Sequence, residues 1–268
     1  QDFFATEYKM LSTLRNFPKA VIVMMDGYVL GGGFGLVQAC HIKVTSEKSR
    51  FAMPETAIGF FPDVGATHFL SRLDDVGIYM ALTGEQISSS DALYLDLVDY
   101  HVPSENFAEL ETALIAAPVL NQIEIQKIIS AYITHPVESE LQKRADLISQ
   151  HFGHPNLDEI EQSLAHASSA TDQEWANKML VILQQRPVMA KQTSLKLQQA
   201  GQNLSLEKCM QLERDLQDVW LEQGDFIEGV RALIIDKDKN PQWQTDNSKF
   251  EKTLEKLWPV WTQQRVEN

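Results

Sequence analysis

The fold is decided by the stretch from Lys19 to Arg72, which reads KAVIVMMDGYVLGGGFGLVQACHIKVTSEKSRFAMPETAIGFFPDVGATHFLSR. It opens with an unbroken apolar run, Ala20 to Met25, which is rich in valine and isoleucine and has the length of a strand. Pro18 precedes this run, and the turn residues Asp26 and Gly27 follow it. Because polar residues do not alternate with the apolar ones, the pattern predicts a strand that is buried on both faces.

Three consecutive glycines, Gly31, Gly32 and Gly33, form a glycine corner ahead of an apolar segment, Phe34 to Cys40, that predicts a helix. Glycines let the chain turn sharply and leave backbone N–H groups uncovered, and a helix start adds unpaired donors and a positive dipole end. Such a corner can bind an oxyanion, although glycines needed only for close packing of strand and helix would give the same pattern. Dinucleotide and phosphate motifs are excluded, since Leu36 takes the place of their last glycine and no Lys-Ser or Lys-Thr pair follows.

Two carboxylates, Glu55 and Asp63, each follow a proline in the loop sequence FAMPETAIGFFPDVG. Apolar neighbours remove hydration and raise the pKa of a carboxyl group, which suits it to acid and base catalysis. Two structural alternatives compete with this interpretation. Asp63 could cap a helix that begins at Gly65, and Glu55 could be a solvated loop residue.

Three segments in this order, GGGFG, AMPETAIGFFPDVG and EGVRALIIDKDKNPQW, resemble the crotonase (enoyl-CoA hydratase/isomerase) superfamily, and within it the 3-hydroxyisobutyryl-CoA hydrolase branch. The resemblance is close from Phe3 to about Pro103 and returns between Phe226 and Trp243. It implies an α/β crotonase-like fold of repeated strand-strand-helix units with a helical C-terminal region. It also implies that the N-terminal part of that fold, which supplies a second oxyanion donor, would precede Gln1.

The resemblance also implies roles for individual residues. Gly32, with Gly31 beside it in the substrate site, matches the oxyanion-hole residue whose N–H binds the thioester oxygen. Glu55 matches the catalytic glutamate, and Asp63 matches an aspartate that binds substrate and orients the reacting groups. Glu7 falls where the hydrolases place a further substrate-contacting glutamate, although an exposed place on an amphipathic helix would also explain it.

One departure from the superfamily pattern narrows the reaction. Enoyl-CoA hydratases carry a second glutamate where Gly35 stands, so efficient hydration is not expected here. The implied function is hydrolysis of a short branched 3-hydroxyacyl-CoA thioester, foremost 3-hydroxyisobutyryl-CoA in valine degradation, with Glu55 as nucleophile or as general base. The alternatives are an enoyl-CoA hydratase or isomerase, and an inactive binding protein of the same fold.

The charge balance restricts the partners. A net charge of −14 and a pI near 4.9 argue against nucleic acid and anionic membrane surfaces, which require a positive field. Coenzyme A is anionic, and Arg231, Lys237 and Lys239 form a small basic group in a segment that crosses the cleft in the family. We therefore expect Lys237 and Lys239 to meet the phosphates of coenzyme A, unless they are solvated surface charges. Coenzyme A is part of the substrate, and no separate cofactor is expected.

The composition changes after Pro103. We expect residues 1–103 to form the C-terminal portion of the crotonase-like core with the active site, and residues 104–268 to form a helical region that caps the site or joins subunits. Family members are often trimeric or hexameric, so a homo-oligomer is expected. The pair His151 and His154 lacks nearby carboxylate or thiolate ligands, so we expect no metal.

Two cysteines, Cys40 and Cys209, lie far apart in helical apolar contexts, which predicts reduced, buried thiols rather than a disulfide. The longest apolar runs are far shorter than a membrane span. The expected location is the cytoplasm, or the mitochondrial matrix if the organism is a eukaryote.

Overall fold

The computed structural model describes residues 2–118 and 121–263. The strands are β1 Ile22–Met25, β2 Tyr28–Leu30, β3 Ile42–Thr45, β4 Arg50–Ala52, β5 Ile87–Ser88 and β6 Tyr100–His101. The first α-helices are α1 Asp2–Arg15, α2 Gly32–Ala39, α3 Ala66–Phe69, α4 Asp74–Thr83, α5 Ser89–Tyr94, α6 Phe107–Ala116, α7 Gln122–Ser130 and α8 Glu140–Lys143. They are followed by α9 Ala145–Phe152, α10 Leu157–Ala165, α11 Ala170–Gln185, α12 Val188–Gly201, α13 Leu206–Gln223, α14 Phe226–Val230 and α15 Ser248–Gln263. Single 3₁₀ turns at Glu55–Ile58, Ser71–Leu73 and Ser104–Asn106 join some of these elements.

The chain divides into two compact units. The strand unit contains Thr6–Ala52 and Gln86–Ala145, and the helical unit contains Gln1–Ala5, Met53–Glu85 and Asp146–Asn268. Each unit draws on residues from both sides of Pro103. The predicted domains of 1–103 and 104–268 stay a prediction.

The strand unit holds two small sheets with strand orders β1-β3-β6 and β2-β4-β5. The order strand, helix, strand in residues 20–46 predicts a mostly parallel sheet. The structure confirms it, because all pairs are parallel except β4 with β5. The prediction that the first strand is buried on both faces is wrong, because Ile22, Val23 and Met24 are only half-buried. The reason is that β1 lies at the edge of its sheet in the described chain, so that it is covered less fully than a central strand.

Two details of the strand unit follow from local chemistry. Apolar side chains of β3 pack against α6 and α7 in a core that includes Val44, Leu110 and Ile129. The sequence Ser-Ser-Ser-Asp at residues 88–91 predicts a helix start, and Ser88 and Asp91 form a reciprocal capping box at the start of α5. Asp91 also accepts hydrogen bonds from the Ser139 hydroxyl and the Leu141 N–H, at 2.7 and 2.9 Å, which fastens α8 to α5.

The helical unit is built around an aromatic core. Phe60 and Phe61 stack with ring centroids 4.3 Å apart, and Trp220 meets Phe61 edge-on at 5.2 Å. Phe250 of α15 closes the cluster at 4.9 Å from Trp220. Because these rings are nearly or fully buried, residues 60 and 61 anchor the segment between the two predicted catalytic carboxylates.

The structure divides some helices that the sequence pattern joins. The sequence pattern predicts one helix from Gly65 to Leu73, whereas the structure has α3 followed by a 3₁₀ turn. Asp74 then takes a left-handed φ of 50° as the chain enters α4. The pattern also predicts one helix from Phe226 to Ile235, which in the structure is α14 continued by a π-helical turn, Arg231–Ile235. Apolar periodicity alone does not detect such changes in helix type. Cys40 and Cys209 are buried free thiols, as predicted.

Candidate active site

The glycine corner, residues 31–33, forms the start of α2 in the strand unit. Gly31 has φ 53° and ψ −123°, a conformation that glycine reaches without steric cost. Its carbonyl accepts the N–H groups of Phe34 and Gly35 at 2.8 and 3.1 Å, which begins the helix. The N–H of Gly32 belongs to the first turn, where helix geometry provides no acceptor within the helix, and Gly32 is exposed. The corner therefore presents an N–H donor at the positive end of a helix.

Glu7 of α1 lies over this corner in the same unit. Its Oε1 is 2.8 Å from the position that a Cβ atom would take at Gly32. The side chain is half-buried, and burial raises the pKa of its carboxyl group. The structure therefore brings Glu7 and Gly32 together, and the alternative of a simply exposed helix position does not hold.

Glu55 lies in the helical unit as the first residue of the 3₁₀ turn Glu55–Ile58. It is 7% exposed, which excludes the alternative of a solvated loop residue. The neighbouring Thr56 hydroxyl donates to the Leu82 carbonyl at 3.2 Å and fixes the turn against α4. Gly59 ends the turn with a left-handed φ of 69°. The carboxylate is thus held by a tight, buried turn.

Asp63 follows in the same loop, which we call the carboxylate loop (residues 55–67). Asp63 is 5% exposed, and its Oδ2 accepts a hydrogen bond from Gln217 Nε2 at 2.7 Å. The next helix begins at Ala66 with Gly65 as its N-cap, so the alternative of Asp63 as the capping side chain does not hold. Val64 and Gly65 have φ values of 54° and 90°. A β-branched residue with a positive φ is a strained conformation, and such strain collects at functional sites.

Helix α13 supports this loop through residues that the sequence reasoning missed. Glu213 accepts the N–H groups of Gly65 and Thr67 at 2.8 and 2.9 Å, and Trp220 Nε1 donates to the Gly59 carbonyl at 2.7 Å. Glu213 and Gln217 are both buried on the apolar face of a long amphipathic helix. Polar side chains on such a face are the signal that could have identified them.

The prediction that Arg231, Lys237 and Lys239 form a group with net positive charge is wrong, because acidic side chains neutralise Arg231. Arg231 is bound by Glu228, Asp236 and Asp238, each at 2.7 Å. The hydrogen bond from Arg231, followed by that from the Gln242 N–H, lowers the pKa of Glu228 to about 2. Lys237 and Lys239 are exposed and have left-handed φ values of 56° and 55°. Their contact with coenzyme A phosphates stays a prediction, and the paired charge of Arg231 does not contribute to it.

The two histidines singled out in the sequence are held by protein groups. His151 Nδ1 lies 2.8 Å from the Ser163 hydroxyl, and His154 Nε2 lies 3.1 Å from the Gln150 carbonyl. In the part of the chain that the structure describes, no group of three or more His, Cys, Asp or Glu side chains could hold a metal ion. Across residues 2–118 and 121–263, no helix has the length and apolar character needed to cross a bilayer.

Comparison with known protein families identifies the family of this chain. The family model described as enoyl-CoA hydratase/isomerase matches residues 1–255. The chain belongs to the enoyl-CoA hydratase/isomerase family. The resemblance expected from the three sequence segments is confirmed.

Relatives with curated names agree with the hydrolase branch of this family. The mitochondrial 3-hydroxyisobutyryl-CoA hydrolase of Xenopus laevis is 32% identical over 253 residues, which are 92% of this chain and 65% of that protein. The 3-hydroxyisobutyryl-CoA hydrolase 1 of Arabidopsis thaliana is 30% identical over 91% of this chain and 66% of that protein. The chain therefore spans less than two thirds of the length of these relatives.

Solved structures agree on the fold. An enoyl-CoA hydratase from Rhodobacter sphaeroides matches with a TM-score of 0.79 and 31% identity, over 91% of this chain and 68% of that one. A carnitinyl-CoA dehydratase from Mycobacterium thermoresistibile matches with a TM-score of 0.80 and 28% identity, over 90% and 68% of the two chains. The predicted crotonase-like fold is confirmed. The catalytic and binding roles of Gly31, Gly32, Glu7, Glu55 and Asp63 stay predictions.

Proposed function

We propose that this protein hydrolyses a short branched 3-hydroxyacyl-CoA thioester, foremost 3-hydroxyisobutyryl-CoA, and acts in valine degradation. The observation that carries the proposal is the carboxylate loop, which holds Glu55 and Asp63 buried at 7% and 5% exposure. Relatives at 32% and 30% identity that bear the name of this hydrolase support the same substrate class.

The glycine corner would polarise the substrate. The N–H of Gly32 donates to the thioester carbonyl oxygen as that oxygen gains negative charge. Removing one such donor typically costs about 3 kcal/mol of transition-state stabilisation. Glu7 contacts the substrate at this corner, where burial raises the pKa of its carboxyl group.

Glu55 would carry the chemistry by one of two routes. As nucleophile, its carboxylate oxygen adds to the thioester carbonyl, the C–S bond breaks, and coenzyme A leaves as a thiolate, which takes the proton that water releases in the next step. Water then cleaves the resulting anhydride to the free acid and restores Glu55. As general base, Glu55 instead takes a proton from a water that attacks the carbonyl directly, and this proton passes to the departing sulfur. Asp63 binds the 3-hydroxyl group or orders the water in either route.

The two routes leave different traces on the protein. An anhydride at Glu55 reacts with hydroxylamine to give a hydroxamate on that side chain, which mass spectrometry of the peptide detects. A general base acquires no such modification. We therefore expect hydroxylamine to inactivate the protein during turnover if Glu55 is the nucleophile, and to leave it active if Glu55 is the base.

A hydratase or isomerase is the second candidate function, because solved relatives are named enoyl-CoA hydratase and carnitinyl-CoA dehydratase. Adding water across a double bond in the hydratases uses a second glutamate at the place of Gly35. Gly35 is buried in α2 and has no side chain to supply that carboxylate. The hydrolase is therefore the better supported reaction.

The proposal is tested by two assays on the full-length protein. Release of free coenzyme A from 3-hydroxyisobutyryl-CoA is followed with a thiol reagent, and hydration of crotonyl-CoA is followed in parallel. Fast release without hydration is the expected result. Hydration without release would assign the protein to the hydratases, and the absence of both activities would favour a binding role.

The remaining properties form part of the same proposal. The partner is an acyl-CoA substrate, and no cofactor is needed beyond the coenzyme A that the substrate carries. Lys237 and Lys239 would meet its phosphates. We infer a homo-oligomer, a trimer or a hexamer, in the cytoplasm or in the mitochondrial matrix of a eukaryote, in line with the mitochondrial name of the relative from Xenopus laevis.

A further inference from the structure

One face of helix α13 fastens the carboxylate loop at three places. Glu213, Gln217 and Trp220 are spaced by four and three residues, which places their side chains on the same side of the helix. Their exposures are 0%, 3% and 0%, so all three are removed from solvent. We call these three residues the α13 stripe.

The three contacts of the α13 stripe differ in kind. Trp220 binds the backbone carbonyl of Gly59, where the turn that carries Glu55 ends. Glu213 binds the backbone N–H groups of Gly65 and Thr67 beyond Asp63. Gln217 lies between these two anchors and contacts a side chain, because its Nε2 donates to Asp63 Oδ2 at 2.7 Å. The backbone is therefore held on both sides of Asp63, and the carboxylate itself is held in the middle.

The loop needs this support because its own conformation is unfavourable. Gly59, Val64 and Gly65 all have positive φ values, and Val64 is β-branched. A residue in such a conformation persists only where the surrounding structure fixes it. Glu213 supplies this fixation with two hydrogen bonds to backbone N–H groups, which are strong because the acceptor is a carboxylate.

We propose that Gln217 is a positioning residue for the thioester hydrolysis, and that it sets the orientation of the Asp63 carboxylate. The inference rests on the role of Asp63 in the proposed function. A hydrogen bond at one carboxylate oxygen restricts rotation of the group and so directs the other oxygen. An amide also donates without competing for protons, which leaves the charge of Asp63 available to the substrate hydroxyl or to water.

The test compares Gln217→Met and Gln217→Glu with Gln211→Met in the full-length protein. Methionine matches glutamine in length and cannot donate, and Gln211 is exposed on the same helix. We expect Gln217→Met to lower kcat/KM for 3-hydroxyisobutyryl-CoA by about 10- to 100-fold, as misplacement of a reacting group does. Gln211→Met is expected to keep the wild-type value, and thermal unfolding checks that each variant folds.

Gln217→Glu provides a readout that a packing role would not change. At high pH two carboxylates face each other and repel, whereas at lower pH the pair shares a proton and Glu at position 217 donates again. The activity of this variant relative to wild type should therefore rise as the pH falls. Reduced activity without that recovery would assign Gln217 a packing role and overturn the inference, as would wild-type kcat/KM and pH profile in both variants.

Asp63→Asn separates the inference from the proposed function. If Asp63→Asn is inactive while the Gln217 variants behave as wild type, only the positioning role of Gln217 fails. If Asp63→Asn keeps wild-type activity, the role of Asp63 in the proposed function fails, and the inference about Gln217 fails with it.

Discussion

The glycine corner and the carboxylate loop reach unusual backbone conformations in different ways. In the corner, the residue with positive φ is Gly31, and hydrogen bonds within α2 hold the residues that follow it. The loop includes a positive φ at Val64 and is fastened by Glu213, which lies 148 positions from Gly65 in the sequence. The corner is therefore encoded locally, whereas the loop depends on a helix that the chain forms much later.

This difference separates two kinds of functional residue. A backbone donor such as the N–H of Gly32 requires only that the local chain turns and begins a helix. A carboxylate that must point in one direction requires a partner for its side chain and support for its backbone. We expect local substitutions to damage the corner, and substitutions at the contact of Gly59 with Asp225, just beyond the end of α13, to damage the loop.

The largest effect on stability is expected from Gly59→Ala in the carboxylate loop. The new Cβ atom would lie 2.8 Å from Asp225 Cβ and 2.9 Å from the Asp225 carbonyl oxygen, at a φ of 69°. Overpacking against backbone and the left-handed conformation together should lower the free energy of unfolding by roughly 2–5 kcal/mol. Urea denaturation measures it, and a loss below about 0.5 kcal/mol would show that the loop adapts more easily than its contacts indicate.

In the glycine corner, neighbouring glycines should respond in opposite directions. Gly31→Ala places a side chain at φ 53° and ψ −123° and should cost about 1–3 kcal/mol. Apart from its chain neighbours and the backbone of α2, no atom lies within 4 Å of a Cβ added at Gly33, so Gly33→Ala should stabilise the start of α2 by about 0.5–1 kcal/mol. Equal effects in thermal unfolding of the two variants would contradict the view that the corner depends on the conformation of Gly31.

The smallest effect is expected at Asp225, the contact of Gly59. Its carboxyl group is 2% exposed, and burial is the main cause that raises its pKa from the ordinary value of 3.8. The folded state therefore binds the proton more tightly, and stability decreases as the pH rises through the raised pKa. Asp225→Asn removes this penalty and should stabilise the fold by up to about 1 kcal/mol at pH 8, the scale of one net hydrogen bond.

The pH dependence distinguishes this explanation from a general gain in packing. The advantage of Asp225→Asn should shrink as the pH falls and should vanish below pH 3.8, where the carboxyl group is protonated in both states. Thermal unfolding over a pH series measures it. An advantage that is independent of pH would contradict the assignment of the penalty to the buried charge.

Much of the local structure could be predicted from the sequence. Strand β1, the start of α2 and the loop with two carboxylates follow from apolar runs, glycines and prolines, and the structure confirms that Glu55 and Asp63 are buried. The strand β2, Tyr28–Leu30, was missed because it is short and its burial alternates with exposed Tyr28 and Leu30. Short strands carry little periodic signal.

The support of the site could not be predicted in the same way. Gln217 and Asp63 are 154 positions apart, and sequence spacing says nothing about such a contact. The prediction of a basic group at Arg231 was wrong for a related reason. The salt bridge of Arg231 with Asp238 forms only when the chain folds back over seven residues. Sequence patterns report chemistry that is close along the chain, whereas positioning is a property of the packed fold.

The most direct test of the account is the rate of coenzyme A release by Glu55→Gln, with Glu174→Gln on the exposed surface of α11 as the matched control. Both variants should fold as wild type does. Glu55→Gln should release coenzyme A from 3-hydroxyisobutyryl-CoA about 10²–10⁴-fold more slowly, the usual contribution of a positioned acid or base, while Glu174→Gln keeps the wild-type rate. Release by a folded Glu55→Gln at the wild-type rate would contradict the account, because the carboxylate on the supported loop would then take no part in the reaction.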